Sequence, residues 1–280
     1  MATARKPRDL SMDDLVLSHF TLGRHHDIEN RVVAAAEAGC AGIGLYTRDY
    51  QRLERDGLVG ALEDLLDEHG ICLAEIEALR GWGDPAQATG DDAREQEATA
   101  FRMADRFECR YVQAIGPVAD DTAVAAAGFA TMCDRAGDHG LVVGLEFLPF
   151  TNVVDAADAL RLVEAADRDN GGVCVDIWHH TRGADDLDQI RAIPGDRITA
   201  IQVSDGPLTP TLDDYYEDCL RTRVPPGQGE MDVAGFLAAV RSTGTTAPIG
   251  LEVCNESTWG TDARAFVAAC VEGLRAFRDG

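Results

Sequence analysis

This chain has no apolar run near the roughly 20 residues needed to cross a bilayer, and its start, MATARKPRDLSMDD, lacks the apolar segment of a secretory leader. A cytoplasmic protein is the expectation. Positive charge is scarce: 25 lysines and arginines face 49 aspartates and glutamates, for a net charge of −24. Such a surface repels polyphosphate backbones and anionic lipid, so the expected partner is a small ligand, with no nucleic acid and no membrane. No CxxC pair is present. The eight cysteines (40, 72, 109, 133, 174, 219, 254, 270) are scattered, several inside apolar runs, as reduced core thiols would be. No GxGxxG turn follows the first strand, which counts against an open dinucleotide-binding sheet.

What the chain does have is length and alternation. With 280 residues, 45% of them hydrophobic, it can bury one full-sized core. Strand-like apolar runs begin near Leu15 (LVLSHFTL), Gly42, Ile71, Arg110, Leu141, Gly172, Ile198 and Pro248. Between them lie stretches such as IENRVVAAAEAG, DDAREQEATAFRMADRF and DAADALRLVEAADR, whose apolar residues three and four apart predict surface helices with one buried stripe. Several end at glycine, at Gly39, Gly70, Gly140 and Gly244, which suits helix C-termini. Eight strands alternating with helices over about 250 residues predict an α/β fold, a (β/α)8 TIM barrel. One domain is expected over residues 1–280, with 1–12 a flexible N-terminal extension. Residues 204–230 are too long for a routine connection and are expected to form an active-site lid, a dimer contact being the other reading.

Four of the runs carry an oxygen donor near the carboxyl end: Glu146 in LVVGLEF, Asp176 in GVCVDIWHH, Gln202 in ITAIQVSDG and Glu252 in IGLEVCN. A carboxylate inside a buried strand is costly unless its charge is compensated. Donors in successive strands point to one shared partner, a divalent cation. In a barrel of this type the carboxyl ends of the strands form the active-site rim, so the four side chains can converge.

In these motifs and their order the sequence resembles the xylose isomerase-like family of barrels, the sugar phosphate isomerase/epimerase group, from LSHFTL to the final helix. GLEF, VDIWH, IQVSD and GLEV match the places where that family binds its metal, and RTRVPPGQGEMDVAGFL resembles its R-x-x-P-G-x-G signature. The resemblance implies Glu146, Asp176, Gln202 and Glu252 as metal ligands, and His179, three residues past Asp176, as a substrate contact. Gln202 stands where most members have histidine. An all-oxygen set follows, which favours one Mn2+ or Mg2+ ion, with Co2+ an alternative, over tetrahedral zinc. The same glutamine, with IQVSDGP and Arg223 in RVPPGQG, is similar to the 3-dehydroshikimate dehydratase branch.

The activity so implied is that of a metal-dependent lyase or isomerase acting through an enolate on a polyhydroxylated keto compound, a dehydratase of the 3-dehydroshikimate or inosose type. The alternatives are a ketose 3-epimerase or sugar isomerase, a lyase on 3-keto C-glycosides with a small partner subunit, and a non-catalytic sugar-binding barrel. Endonuclease IV chemistry is disfavoured by the seven histidines and the negative charge. In the implied reaction His179 shuttles the proton, since its ordinary pKa lies near neutrality, and Glu146 and Glu252 can double as bases. Arg223, or Arg221 beside it, can hold a substrate carboxylate or phosphate in bidentate fashion. His19 in strand one, Glu75 in strand three and Trp178 sit where substrate contacts can arise, and each equally suits a hydrogen-bonded or packed core position. Asp205 is expected to orient a metal ligand or the loop. Homo-oligomers are common in the family.

Overall fold

The computed structural model describes residues 5–258 and 260–278, and its eight strands pair in sequence order into a closed parallel barrel. They are β1 (Leu15–Leu17), β2 (Gly42–Tyr46), β3 (Cys72–Leu79), β4 (Tyr111–Ile115), β5 (Val142–Glu146), β6 (Gly171–Asp176), β7 (Ile198–Val203) and β8 (Ile249–Leu251). Helices cover the outside, so both faces of every strand are buried and the runs read as continuously apolar. Outward residues such as Val143, Leu145, Val173, Val175 and Ile201 belong to the main core beneath those helices.

The inward residues are small low in the barrel and polar at its carboxyl rim: Gly144 then Glu146, Cys174 then Asp176, Ala200 then Gln202, Gly250 then Glu252. The strand period of two puts each pair on one face. Register aligns them across the sheet, with Glu146 opposite Cys174, and Asp176, Gln202 and Gly250 in one row. Lower down, Tyr111, Cys174 and Ala200 fill the interior as a separate cluster. A Cβ on Gly144 would come within 2.6 Å of the Tyr111 ring, so glycine is what admits that ring.

Where the expected and observed elements differ, local chemistry explains it. Strand one ends at Leu17, and HFTL forms the helical turn His19–Leu22 instead. Thr21 Oγ1 donates to Leu251 O at 2.6 Å and pins that turn over β8. The helix Thr47–Asp56, directly after β2, is not marked by the sequence pattern, because TRDYQRLERD offers only Tyr50 and Leu53 as large apolar residues. Gly39 and Gly70 do close their helices in left-handed geometry, with φ of 89° and 68°.

Residues 204–230 contain the helix Tyr215–Arg221, which Asp214 caps through the Glu217 N–H at 3.0 Å. The return of this segment is fixed by Asp205. Its carboxylate accepts from the backbone N–H groups of Gly227, Gly229 and Met231 at 2.9, 3.0 and 3.0 Å, and its own backbone pairs with Val224 in both directions. Arg223 is thereby set over the barrel mouth. Of the expected N-terminal extension, residues 1–4 lie outside the described residues. Residues 5–12 are tied down: Lys6 Nζ is 3.0 Å from Glu108, Arg5 meets Asp14, and Leu10 packs on Val16, Cys72 and Ala74. All eight cysteines are buried and free. Among the described residues no helix is long and apolar enough to cross a membrane.

Candidate active site

Glu146 and Asp176 are the last residues of β5 and β6, Gln202 lies near the end of β7, and Glu252 follows β8 directly. All four are buried. Asp176 also starts the helix Ile177–Arg182, its Oδ1 accepting from the Trp178 N–H at 2.6 Å. One turn along that helix, His179 swings back over the rim, and its Nε2 lies 3.7 Å from both Glu146 Oε1 and Asp176 Oδ2. Donor atoms of Glu146, Asp176 and His179 all fall within 4.8 Å of one another.

Arg223 enters this group from the long segment and is 1% exposed. Its Nη1 is 2.8 Å from Asp176 Oδ2 and 3.0 Å from Glu252 Oε2, and its Nε donates to Cys219 O at 3.1 Å. Gln202 Nε2 donates to Glu252 Oε1 at 3.3 Å, while its oxygen accepts from the Cys174 thiol, also at 3.3 Å. The four expected donors are therefore neighbours, Glu252 lying directly beside Asp176. Glu146 and Asp176 group with His179, whereas Glu252 is held by Arg223 and Gln202. An imidazole in the group removes the all-oxygen argument by which Mn2+ or Mg2+ were preferred to zinc.

Hydrogen bonding sets the tautomer of His179. Arg223 Nη2, which can only donate, stands 3.3 Å from Nε2, so Nε2 carries the lone pair. Nδ1 then bears the proton and donates to Tyr215 Oη at 2.9 Å. Burial pushes His179 down to about 3, against the pull of Asp176 and with the help of Arg223. The expected near-neutral pKa is thus corrected: His179 is a neutral base or ligand at pH 7. Burial raises Glu252 to about 8 despite Arg223. Burial, then Glu252 and Asp176, hold Glu146 well above the carboxylate range. Burial would raise Asp176 too, but Arg223 and His179 outweigh it and keep it low.

One guanidinium thus pairs with two of three buried carboxylates, and Glu146 Oε1 has no hydrogen-bond partner among the described residues. That orphaned oxygen and the charge deficit fit a divalent cation beside Glu146, Asp176 and His179.

The remaining expected contacts fall out differently. Trp178 is fully buried and lines no cavity at the mouth. It lies beneath Arg182 and Arg223, with 4.4 and 5.4 Å from guanidinium carbon to ring centre, and so supports Arg223 from below. Glu75 accepts from Ser18 Oγ at 3.0 Å and borders a cavity with Pro7 and Thr246, away from the His179 group. His19 uses both ring nitrogens internally, Nδ1 facing Arg31 at 2.8 Å and Nε2 facing Asp49 at 3.0 Å. Arg221 pairs with Glu217 and Glu256 at the surface, whereas Arg223 stands against His179 and Asp176.

A cavity of about 170 Å3 opens above the group, bordered by Glu146, His179, Arg223 and Glu252 and also by Arg80 and Gln113. Sequence reasoning passed over Arg80, Tyr215, Cys219 and Glu77. Arg80, at the end of β3, has no acidic partner among the described residues, and its place after a strand run was the available signal. Glu77 accepts from the His19 N–H at 2.7 Å; a register slip opposite Gly44 turns both it and Glu75 inward.

A closed parallel barrel with acidic groups and an imidazole gathered at its carboxyl rim defines a (β/α)8 barrel whose polar side chains converge at one end. Within that class, the chain belongs to the xylose isomerase-like TIM barrel family, whose model matches residues 32–276. Two 3-dehydroshikimate dehydratases are similar to it. That of Pseudomonas putida is 37% identical over 143 residues, 51% of this chain and 22% of that protein. That of Pseudomonas aeruginosa is 28% identical over 253 residues, 89% of this chain and 39% of that protein. The chain therefore spans well under half the length of these relatives. Among solved structures, the IOLI protein with a binding zinc atom superposes with a TM-score of 0.82 at 18% identity, over 95% of this chain and 98% of that one, a likeness of fold.

Proposed function

We propose that the protein is a divalent-metal-dependent lyase that dehydrates a carboxylated, polyhydroxylated keto ring of the 3-dehydroshikimate type through an enolate. The observation that carries this reading is the buried group of Glu146, Asp176 and His179 beneath a cavity that also presents Arg80 and Arg223. The similarity to two dehydratases supports the choice of reaction.

A divalent ion bound by Glu146, Asp176 and His179, with Glu252 and Gln202 adjoining, would polarise the substrate carbonyl and stabilise the developing oxyanion. Arg80 borders the cavity with no acidic partner among the described residues, and it suits a substrate carboxylate. Glu252, raised to about 8, is protonated at neutral pH in the metal-free protein and is ionised when a cation adjoins it, so it can accept the α-proton and return it to the departing β-hydroxyl as water forms. Arg223 keeps Asp176 ionised. The segment 204–230 supplies Tyr216, Cys219, Leu220 and Arg223 to the cavity wall and acts as the lid that excludes water.

The alternative of a neutral inosose substrate leaves Arg80 without a role. The deciding experiment chelates the purified protein and restores Mn2+, Mg2+, Co2+ or Zn2+ in turn. 3-Dehydroshikimate and inosose are then supplied, and the aromatic product of the former is followed by absorbance. Metal-restored turnover of 3-dehydroshikimate supports the reading. Turnover of inosose alone moves it to the neutral substrate, and turnover of neither removes it.

A further inference from the structure

Beside the reaction pocket lies a larger chamber of about 650 Å3. Phe20, Tyr46, Tyr216, Leu220 and Cys254 border both, so the two are adjoining rooms of one mouth. The wall of the larger room is the helix Thr47–Asp56, the one that the sequence pattern does not mark. Its Arg48, Arg52 and Arg55 are spaced four and three residues apart, which places them on one face, and all three border the chamber.

Their counter-charges do not balance. Arg48 is matched by Asp92 at 3.0 Å, and Arg221 on the opposite wall by Glu217 and Glu256. Arg52 meets Asp49, but the same carboxylate also takes Arg31 at 3.4 Å and the His19 ring at 3.0 Å. Two guanidinium groups thus share one acid. Arg55 has no acidic partner among the described residues. The surplus is felt by its neighbours: burial and then Arg52 bring Arg31 down to about 10, and burial, Arg31 and Arg52 hold His19 well below its ordinary value. In a chain of net charge −24, unmatched arginines on a cavity wall are a local reversal of the background.

We propose that this chamber is an oxyanion subsite, in which Arg52 and Arg55 bind a carboxylate or phosphate carried by the substrate on the side away from its reacting carbons. The proposal rests on the substrate occupying the adjoining pocket as described above, and it extends the substrate class to compounds with a second anionic arm.

The test uses inorganic phosphate as probe, titrated calorimetrically into wild type, Arg55→Ala, Arg55→Lys and Arg110→Ala, the last lying near the amino-terminal rim beside Lys6 and Pro7. Arg55 is exposed and unpaired, so its replacement leaves folding intact. The expected result is phosphate binding to wild type that weakens about tenfold or more in Arg55→Ala, recovers in Arg55→Lys and is unchanged in Arg110→Ala. No binding to wild type, or equal binding to all four proteins, overturns the proposal. Phosphate that raises KM for a keto substrate carrying a second carboxylate or phosphate, in wild type but not in Arg55→Ala and without lowering kcat, identifies the substrate's own arm as the occupant. Phosphate that binds without affecting KM identifies a free oxyanion and overturns the assignment to substrate. Because the titration needs no turnover, failure of the dehydratase reading remains separable from failure of the subsite.

Discussion

Arg223 Nη1 stands 2.8 Å from Asp176 Oδ2, so a cation delivered by the long segment and an acid delivered by β6 form a buried ion pair at the centre of the mouth. In the metal-free protein this pair, extended to Glu252, is the only cation contact holding two buried carboxylates among the described residues. Replacing Arg223 by leucine leaves the ionised Asp176 uncompensated, and breaking such a pair costs about 3–5 kcal/mol. Urea unfolding of the chelated variant should fall by that order, and a saturating divalent ion should recover part of it. A loss within experimental error would show that the pair contributes little.

Glu146→Gln tests the centre from the other side. Its Oε1 is orphaned and its charge is disfavoured by burial, so a neutral isostere should leave the melting temperature of the chelated protein unchanged or higher. Metal affinity and turnover should collapse together, as they should in Glu252→Gln. Wild-type turnover in either variant contradicts the assignment.

Tyr215 acts on His179 from the helix of the long segment, through a 2.9 Å bond to Nδ1. Tyr215→Phe removes the acceptor of the Nδ1 proton and frees the ring to turn, and a loss of this kind is worth roughly 10–100-fold in activity. We expect the loss in kcat with KM nearly constant, and a shift of the His179 ring 15N resonances. Unaltered resonances with lowered activity would assign Tyr215 to packing instead.

The pH dependence of stability follows from the buried acids. In the metal-free protein burial holds Glu75 at about 7 and Glu252 at about 8. Unfolded glutamates titrate near about 4.3, so the folded state retains protons that the unfolded chain has released. That stabilisation is complete below the unfolded value and is lost as pH rises through the folded ones. His179, held at about 3, contributes in the opposite sense, and its contribution is complete above about 6.5. The melting temperature of the chelated protein should therefore fall between about pH 6.5 and 8.5, and a divalent ion should flatten the decline. A melting temperature that rises across that window would contradict the burial of these carboxylates as acids.

Much of this architecture was legible in the sequence because it is written at short range. Each strand announces itself as an apolar run, and most helices as a stripe with period 3.6. Glu146, Asp176, Gln202 and Glu252 could be recognised because a polar residue inside such a run is anomalous. Asp176 and His179 could be joined because three residues of helix make one turn. Arg80 and the Thr47–Asp56 helix escaped notice, since a charged residue beyond a strand or on a polar helix looks locally like any solvated one.

The sequence by itself determined the eightfold alternation, the end of the barrel that carries the polar groups, and the identity of the acids there. Only the tertiary structure decided which of them share a centre. Strand register and the Asp205-anchored return of the long segment bring together residues far apart in the chain, placing Arg223 against Asp176 and Glu252 and Tyr215 against His179. Burial then sets the protonation states. Those depend on which charges lie within a few ångströms in a medium of low dielectric, and chain spacing does not encode that distance.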